Sequence, residues 1–324
     1  MEQKCYNIYI LNRKGAAFMK YIRTSYLKKA VNNAPDDLIK DSEKNYYDQL
    51  SGICSNIFDN KEERPIVLIS GPSGSGKTST ANEISRLLLK EYGCKSSVVS
   101  LDNYFRSNDS PGMPIGKDGK IDLESPLCTD LDLLKEHIQL LNECADFDMP
   151  IFNFKKQARD GYVPFRREPG SIVIMEGIHA LNPLVTGENS FAWCIYVSVR
   201  TRLKADDGKL LHPRAIRLMR RLCRDNLFRG RDFAAIFSFF QSVSEGEDKY
   251  ILPFKHRADY QVDTFMAYEA PAYRTYLYDK LLEQADIFEG NDYYKKLMRF
   301  FGYFPSLEKD GIPETSLVRE FIGF

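Results

Sequence analysis

No surplus of either charge runs through this sequence: 45 lysines and arginines balance 45 aspartates and glutamates. A dedicated nucleic-acid binder concentrates basic charge, so the balance speaks against that class. Cysteine is sparse and scattered. None of the seven (Cys5, Cys54, Cys94, Cys128, Cys144, Cys194, Cys223) is in C-x-x-C spacing, and their number is odd. That suits a reducing cytosol better than a disulfide framework or a zinc site. The four histidines, His137, His179, His212 and His256, show no metal-ligand spacing. The N-terminus lacks an apolar h-region, so no signal peptide is expected. No run approaches the ~18 apolar residues of a membrane span. Internal repeats and low-complexity tracts are missing as well. These absences leave a cytoplasmic globular protein with neither a nucleic-acid nor a membrane partner, and with oligomerisation open. Its 324 residues, 43% hydrophobic and 28% charged, are ordinary for that class and make one large domain or two small ones.

What is present is one strong motif. Gly71-Pro72-Ser73-Gly74-Ser75-Gly76-Lys77-Thr78 fits G-x-x-x-x-G-K-[ST], the phosphate-binding loop. Ile66-Val67-Leu68-Ile69 before it reads as a buried parallel strand, and Ala81, Ile84, Leu87 and Leu88 after it share one helix face. Strand, glycine-rich turn and helix aim backbone N–H groups and a positive helix end at phosphate. Gly71, Gly74 and Gly76 let the backbone curl without Cβ clashes. Lys77 brings a point charge to the β/γ oxygens, and the Thr78 hydroxyl suits Mg²⁺. The candidate nucleotide-binding set is Gly71, Ser73, Gly74, Ser75, Gly76, Lys77, Thr78 and Ser79.

The rest of the chain is read around this loop. Residues 1–60 form an N-terminal extension, with a short strand at Tyr6–Ile10, a helix from Phe18 to Val31, a break at Asn32–Asp37 and a further helix from Tyr46 to Phe58. Residues 61–324 form the main domain. A second strand, Ser96–Leu101, ends in Asp102, where an acid accepts a proton from an attacking hydroxyl or merely caps a turn. Asp122 and Glu124 lie in a loop and suit the paired hydroxyls of a sugar, or simply face water. Thr129 reads as the N-cap of a helix with Leu134, Ile138 and Leu141 as its buried stripe. Pro150–Phe154 and Tyr162–Phe165 make an aromatic hairpin, a lid over a planar substrate or a packed flap. The core strand Ser171–Met175 ends in Glu176, the second carboxylate a phosphate-loop enzyme needs. Phe191–Val199 is the next strand. A helix follows with Leu211, Ala215, Leu218, Met219 and Leu222 as its apolar stripe. Its other face carries Arg214, Arg217, Arg221 and Arg224, with Arg220 beside them and Arg229 and Arg231 beyond. Like charges at such spacing repel. Either the face is solvated, or the arginines converge on an anion as a phosphate-clamping lid. Ala258–Val262 is a last strand, and residues 265–324 form a helical tail packed on the domain.

Several of these pieces together resemble the phosphoribulokinase/uridine kinase family of phosphate-loop kinases. They are Gly71–Thr78, Ser100–Phe105, Asp122–Pro126, Ile172–Ile178, Arg221–Asp225, Arg229–Asp232, and Pro253–Lys255 with Ala258-Asp259, in matching order across residues 65–265. Glu176–Pro183 and the ending Arg319–Gly323 look like one bacterial branch of uridine kinase-like nucleoside kinases. The resemblance implies an α/β P-loop NTPase fold: a doubly wound parallel sheet with a helical lid and a helical C-terminal tail. It implies ATP and Mg²⁺ as cofactors and a small-molecule alcohol as partner. Asp102 matches the base that activates a sugar 5′-hydroxyl, with Lys77, Arg229 and Arg231 as the other catalytic candidates. Thr78 and Glu176 match the Mg²⁺ ligands. Glu124 stands where uridine kinases hold the ribose hydroxyls with Asp. Arg221 and Arg224 match substrate and phosphate contacts, and Tyr104, Phe152, Gln157 and Arg159 complete the candidate substrate set. One departure stands out. Uridine–cytidine kinases read the pyrimidine with Tyr and His on the hairpin, where this chain has Phe152 and Gln157. The expected reaction is transfer of the ATP γ-phosphoryl group to a nucleoside 5′-OH. The alternatives are the same chemistry on a phosphoribulokinase-, pantothenate- or glycerate kinase-type alcohol, or a non-catalytic nucleotide-binding module. No Asn-Lys-x-Asp guanine-reading motif is present.

Overall fold

The computed structural model describes residues 20–116, 118–188 and 190–323. The strand expected at Tyr6–Ile10 lies outside them. In chain order the strands are β1 (Tyr21–Arg23), β2 (Ile66–Ser70), β3 (Ser96–Ser100), β4 (Phe147–Asn153), β5 (Ala158–Phe165), β6 (Ile172–Glu176), β7 (Ala192–Ser198), β8 (Arg202–Lys204), β9 (Leu210–Leu211) and β10 (Tyr260–Asp263). The α-helices are α1 (Thr24–Asn33), α2 (Pro35–Asp59), α3 (Lys77–Tyr92), α4 (Leu131–Asn142), α5 (Pro183–Thr186), α6 (Pro213–Arg229), α7 (Phe233–Gly246), α8 (Glu269–Leu282), α9 (Ala285–Phe288), α10 (Asp292–Phe301) and α11 (Arg319–Ile322). They divide into two compact units. One comprises Tyr47–Ser198 and Gln241–Val262; the other comprises the described residues up to Tyr46, Val199–Phe240 and the chain from Asp263 onward.

The first unit is built on a five-stranded sheet of order β10-β7-β2-β6-β3. Strand β2 runs parallel to both β6 and β7, and β3 runs parallel to β6. Central parallel strands are covered on both faces and read as continuous apolar runs. Accordingly every residue of β2, β6 and β7 is buried. Leu68, Val99, Val173, Met175 and Tyr196 pack with Leu134, Ile138 and Leu141 of α4 in one core cluster. Ala81, Ile84, Leu87 and Leu88 of α3 are likewise buried, the stripe read from their spacing. This is the α/β phosphate-loop architecture expected. Because the paired strands are parallel, the loops that follow β2, β3 and β6 leave the sheet from the same edge.

The second unit holds a small sheet of order β1-β8-β9 and a helical cluster in which α8 and α11 pack on α6. Here the sequence reading needs three corrections, and the first unit one more. The helix expected from Phe18 starts at Thr24, after β1 pairs with β8. The break at Asn32–Asp37 shrinks to Ala34, because Pro35 occupies the first turn of α2; its missing N–H costs nothing there. Leu211 belongs to β9, not to the stripe of α6, since His212 caps that helix and Pro213 opens it. In the first unit, α4 is capped by Asp130, whose carboxylate accepts from Leu133 N–H, not by Thr129.

Candidate active site

The phosphate loop departs from β2 and curls into α3. Gly74 and Gly76 take φ of 74° and 84°, in the left-handed region where a Cβ is penalised. At Gly71 the constraint is space: a Cβ there falls 2.0 Å from the Val197 carbonyl oxygen. The sequence therefore needs glycine at these positions for two different reasons. Thr80 Oγ1 donates to Gly76 O at 2.7 Å and ties the loop to the first turn of the helix. Lys77 Nζ reaches Pro72 O at 3.5 Å, folded back over the loop.

The register of the sheet sets the acids around it. Glu176, the last residue of β6, pairs with Ile69 on β2 and Ser100 on β3. The Thr78 hydroxyl lies 3.1 Å from its carboxylate, and Glu176 is buried. Asp102 lies two residues beyond Ser100, in a tight turn whose N–H groups begin on the Ser100 hydroxyl (3.3 Å). Gly177 continues from Glu176 and is pressed against Leu101, with a Cβ there 2.7 Å from Leu101 Cβ. Thus Thr78, Glu176 and the Asp102 turn gather at one edge of the sheet. Two hard oxygen donors, a hydroxyl and a carboxylate, fit Mg²⁺, which keeps waters and takes phosphate oxygens for its other positions. Among the described residues no group of three His, Cys, Asp or Glu side chains forms a protein cage for a metal.

Next to this edge stands the loop of Asp122 and Glu124. Asp122 accepts from the Tyr250 hydroxyl at 2.9 Å and from Glu124 N–H at 3.2 Å. Glu124 packs against Gly246, where an added Cβ would lie 2.4 Å from Glu124 Cβ. The sequence reading had no signal for Tyr250 as Asp122's partner; the two are 128 residues apart.

The other substrate candidates fare differently. Tyr104 is a correction: its ring is fully buried, and its hydroxyl meets His137 Nδ1 at 3.0 Å. The tight turn that leaves Asp102 half-buried sends Tyr104 into the core. Burial raises the Tyr104 pKa and lowers that of His137, so both stay neutral. Phe152 is also buried, edge-on to Phe105 and Phe154. The hairpin turns at residues 154–157, and β5 begins at Ala158, four residues before the expected return. Gln157 forms that turn with φ of 52° and donates its amide back to Phe154 O at 2.5 Å. Neither residue offers polar recognition to a base. Arg159 is paired with Asp130 at 3.0 Å.

The arginines of α6 belong to the other unit, and their pattern is not a solvated face. Arg217, Arg220 and Arg221 are buried. Asp225, itself fully buried, gathers Arg224 (2.9 Å), Arg229 (3.4 Å), Arg221 (3.6 Å) and Arg231 (3.9 Å). Burial pushes the Asp225 carboxyl up, but the charges of Arg224, Arg221 and Arg229 outweigh it and hold it below the usual range. Four cations on one anion leave net positive charge, and Arg229 and Arg231 remain about half exposed. Arg220 departs from this group and pairs with Glu269.

A phosphate loop between a buried parallel strand and a helix, with a hydroxyl and a strand-end carboxylate beside it, defines a P-loop nucleotide-binding protein of the kinase type. Residues 66–269 match the family described as Phosphoribulokinase / Uridine kinase family. The chain belongs to that family, and it is a kinase. It is 31% identical over 201 residues to a uridine kinase of Lactobacillus johnsonii, covering 61% of this chain and 86% of that one. It is 31% identical over 199 residues to a uridine kinase of Geobacillus kaustophilus, covering 61% and 85%. A solved structure of a candidate fructose transport system kinase from Silicibacter aligns with a TM-score of 0.49 at 19% identity, over 65% of this chain and 98% of that one. Among the described residues, no helix is long and apolar enough to cross a membrane.

Proposed function

We propose that the protein transfers the γ-phosphoryl group of ATP to a hydroxyl of a small molecule, the 5′-OH of a nucleoside such as uridine or cytidine. The observation that carries this reading is the Thr78 hydroxyl 3.1 Å from the Glu176 carboxylate, beside the phosphate loop and one register step from the Asp102 turn. Gly71–Thr78 hold the phosphates through backbone N–H groups, and Lys77 neutralises their charge. Thr78 and Glu176 would hold Mg²⁺, which when bound neutralises charge on the β/γ oxygens. Asp102 takes the proton of the attacking hydroxyl. Arg221, Arg224, Arg229 and Arg231, gathered on Asp225 with net positive charge left over, are the side chains of a kind that clamps phosphate.

One observation favours a second reading, the same chemistry on another sugar-like or acid alcohol. Phe152 is packed among aromatics and Gln157 is bonded to its own hairpin, so neither stands in for the Tyr and His with which uridine–cytidine kinases read a pyrimidine. The test is ATP turnover with a panel of pyrimidine and purine nucleosides, pentitols and hydroxy acids. Turnover on uridine or cytidine supports the first reading. Turnover only on non-nucleoside alcohols supports the second, and ATP consumption indifferent to any acceptor overturns both.

A further inference from the structure

His179 is absorbed by none of the roles above. It lies three residues beyond Glu176, in a turn that leaves little freedom: Gly177 N–H donates to Ile69 O (3.0 Å), Ala180 N–H to Gly177 O (3.2 Å) and Asn182 N–H to His179 O (2.9 Å). With Gly177 wedged against Leu101, the imidazole is held in a defined place at the edge of the sheet from which the phosphate loop and the Asp102 turn also leave. Its residue is only 4% exposed, and neither ring nitrogen makes a hydrogen bond of good geometry among the described residues, the Glu124 and Tyr250 carbonyls being the backbone acceptors that face it. Buried polar groups are bonded in the great majority, and one left without a bond carries its full desolvation penalty.

The surroundings say what kind of partner fits. The ring stands edge-on to Tyr250, centroids 6.2 Å apart, and the Tyr250 hydroxyl is bonded to Asp122. Burial above all lowers the His179 pKa to about 4; the Glu124 carbonyl opposes it most, the nearby charge of Lys77 adds to the lowering, and the Tyr250 carbonyl and Asp122 oppose it less. At neutral pH the ring is therefore uncharged, with one nitrogen donating and the other accepting. That pair matches a hydroxyl, which also does both. An apolar alcohol would leave the ring as it is, and a second anion would meet Asp122.

We propose that His179 is an acceptor-binding residue: together with Asp122 and Tyr250 it takes a hydroxyl of a polyol acceptor, one other than the hydroxyl that is phosphorylated. This rests on the kinase reading above. It concerns the sugar or polyol part of the acceptor, so it applies to a nucleoside and to a non-nucleoside polyol alike.

The experiment uses the full chain and the best acceptor from the panel, with its deoxy analogues. His179→Leu should raise the KM for the acceptor about tenfold, the effect of one hydrogen bond to a buried group. The KM for ATP should stay unchanged, and so should the thermal midpoint of the free protein, or rise. Discrimination between the acceptor and one particular deoxy analogue should collapse with it. His179→Asn, which keeps a donor and an acceptor, should recover part of both. An unchanged acceptor KM and unchanged discrimination in His179→Leu would overturn the assignment and leave His179 a core residue holding at most a water. If that variant does not fold, the imidazole nitrogen resonances of His179 in the wild type decide: they should move on adding acceptor, and resonances that stay put overturn the proposal. A wild type that turns over no acceptor of any class overturns the kinase reading itself, an outcome distinct from an active enzyme indifferent to residue 179.

Discussion

Replacing Glu269 by alanine should destabilise the protein far more than any surface charge change. The reason lies in how completely Glu269 is engaged. Its carboxylate receives Arg220 Nε at 2.7 Å and Arg220 Nη2 at 3.2 Å, a two-pronged bond, and Met266 N–H at 2.9 Å. Arg220 adds bonds to Thr264 O (2.6 Å) and Thr264 Oγ1 (3.3 Å), and its guanidinium lies 5.1 Å from the Phe321 ring. Both side chains are fully buried. Removing the carboxylate strands a guanidinium that cannot lose its proton, and breaking such a pair costs about 3–5 kcal/mol. At about 2–4 °C per kcal/mol for units of this size, the thermal midpoint should fall by on the order of 10 °C. The assay is denaturant unfolding followed by circular dichroism, with the single variants Glu269→Ala and Arg220→Met beside the double variant Arg220→Met/Glu269→Leu. An apolar pair of similar volume should restore stability to within about 1 kcal/mol of wild type or above it, since the pair itself gains little over packed hydrocarbon. A cost below about 1 kcal/mol in both single variants would refute the reasoning, because it would mean that water reaches these charges.

Other consequences follow from the site. Asp102→Asn should retain ATP binding while lowering kcat by about 10²-fold or more, the loss of a general base; single-turnover kinetics with measured nucleotide affinity checks it, and near-wild-type turnover removes Asp102 from that role. Gly71→Ala should abolish nucleotide binding by titration calorimetry and lower stability, because its Cβ would sit 2.0 Å from Val197 O, against backbone that cannot yield; wild-type affinity would refute the close approach. The Asp225 carboxyl is held below its ordinary value in the folded protein. Its contribution to stability is therefore complete above the unfolded pKa, about 3.9, and is lost as pH falls through the folded value. Asp225→Asn should flatten that acid limb and lower stability at neutral pH, where four arginines would face no anion; an unchanged acid limb in unfolding midpoints against pH would count against it.

Much of the site is legible in the sequence because its chemistry is local. A phosphate loop needs its glycines, lysine and threonine consecutively, so Gly71–Thr78, the strand before it and the stripe Ala81, Ile84, Leu87 and Leu88 after it can be read directly. Glu176 is legible for the same reason, since the pattern of the buried parallel strand β6 shows where it stops; Asp102 follows the half-buried edge strand β3, in the turn after it. What the linear order hides is which side chains turn inward. Nothing in Asp102-Asn103-Tyr104 distinguishes a half-buried acid from a ring in the core; the tight turn after β3 decides it, sending Tyr104 to His137. The arginine-rich helix is the clearest case. Spacing on α6 suggests one basic face, but tertiary packing splits it. Glu269 arrives on α8 for Arg220, while Asp225, on α6 itself, collects Arg221, Arg224, Arg229 and Arg231. Tyr250 reaches Asp122 across 128 positions, and His179 acquires its significance only from burial with no well-formed hydrogen bond. Local spacing determined the nucleotide-binding edge of the sheet; long-range packing alone decided which polar groups are left to meet a ligand, since satisfaction of a buried donor or acceptor depends on every element that surrounds it.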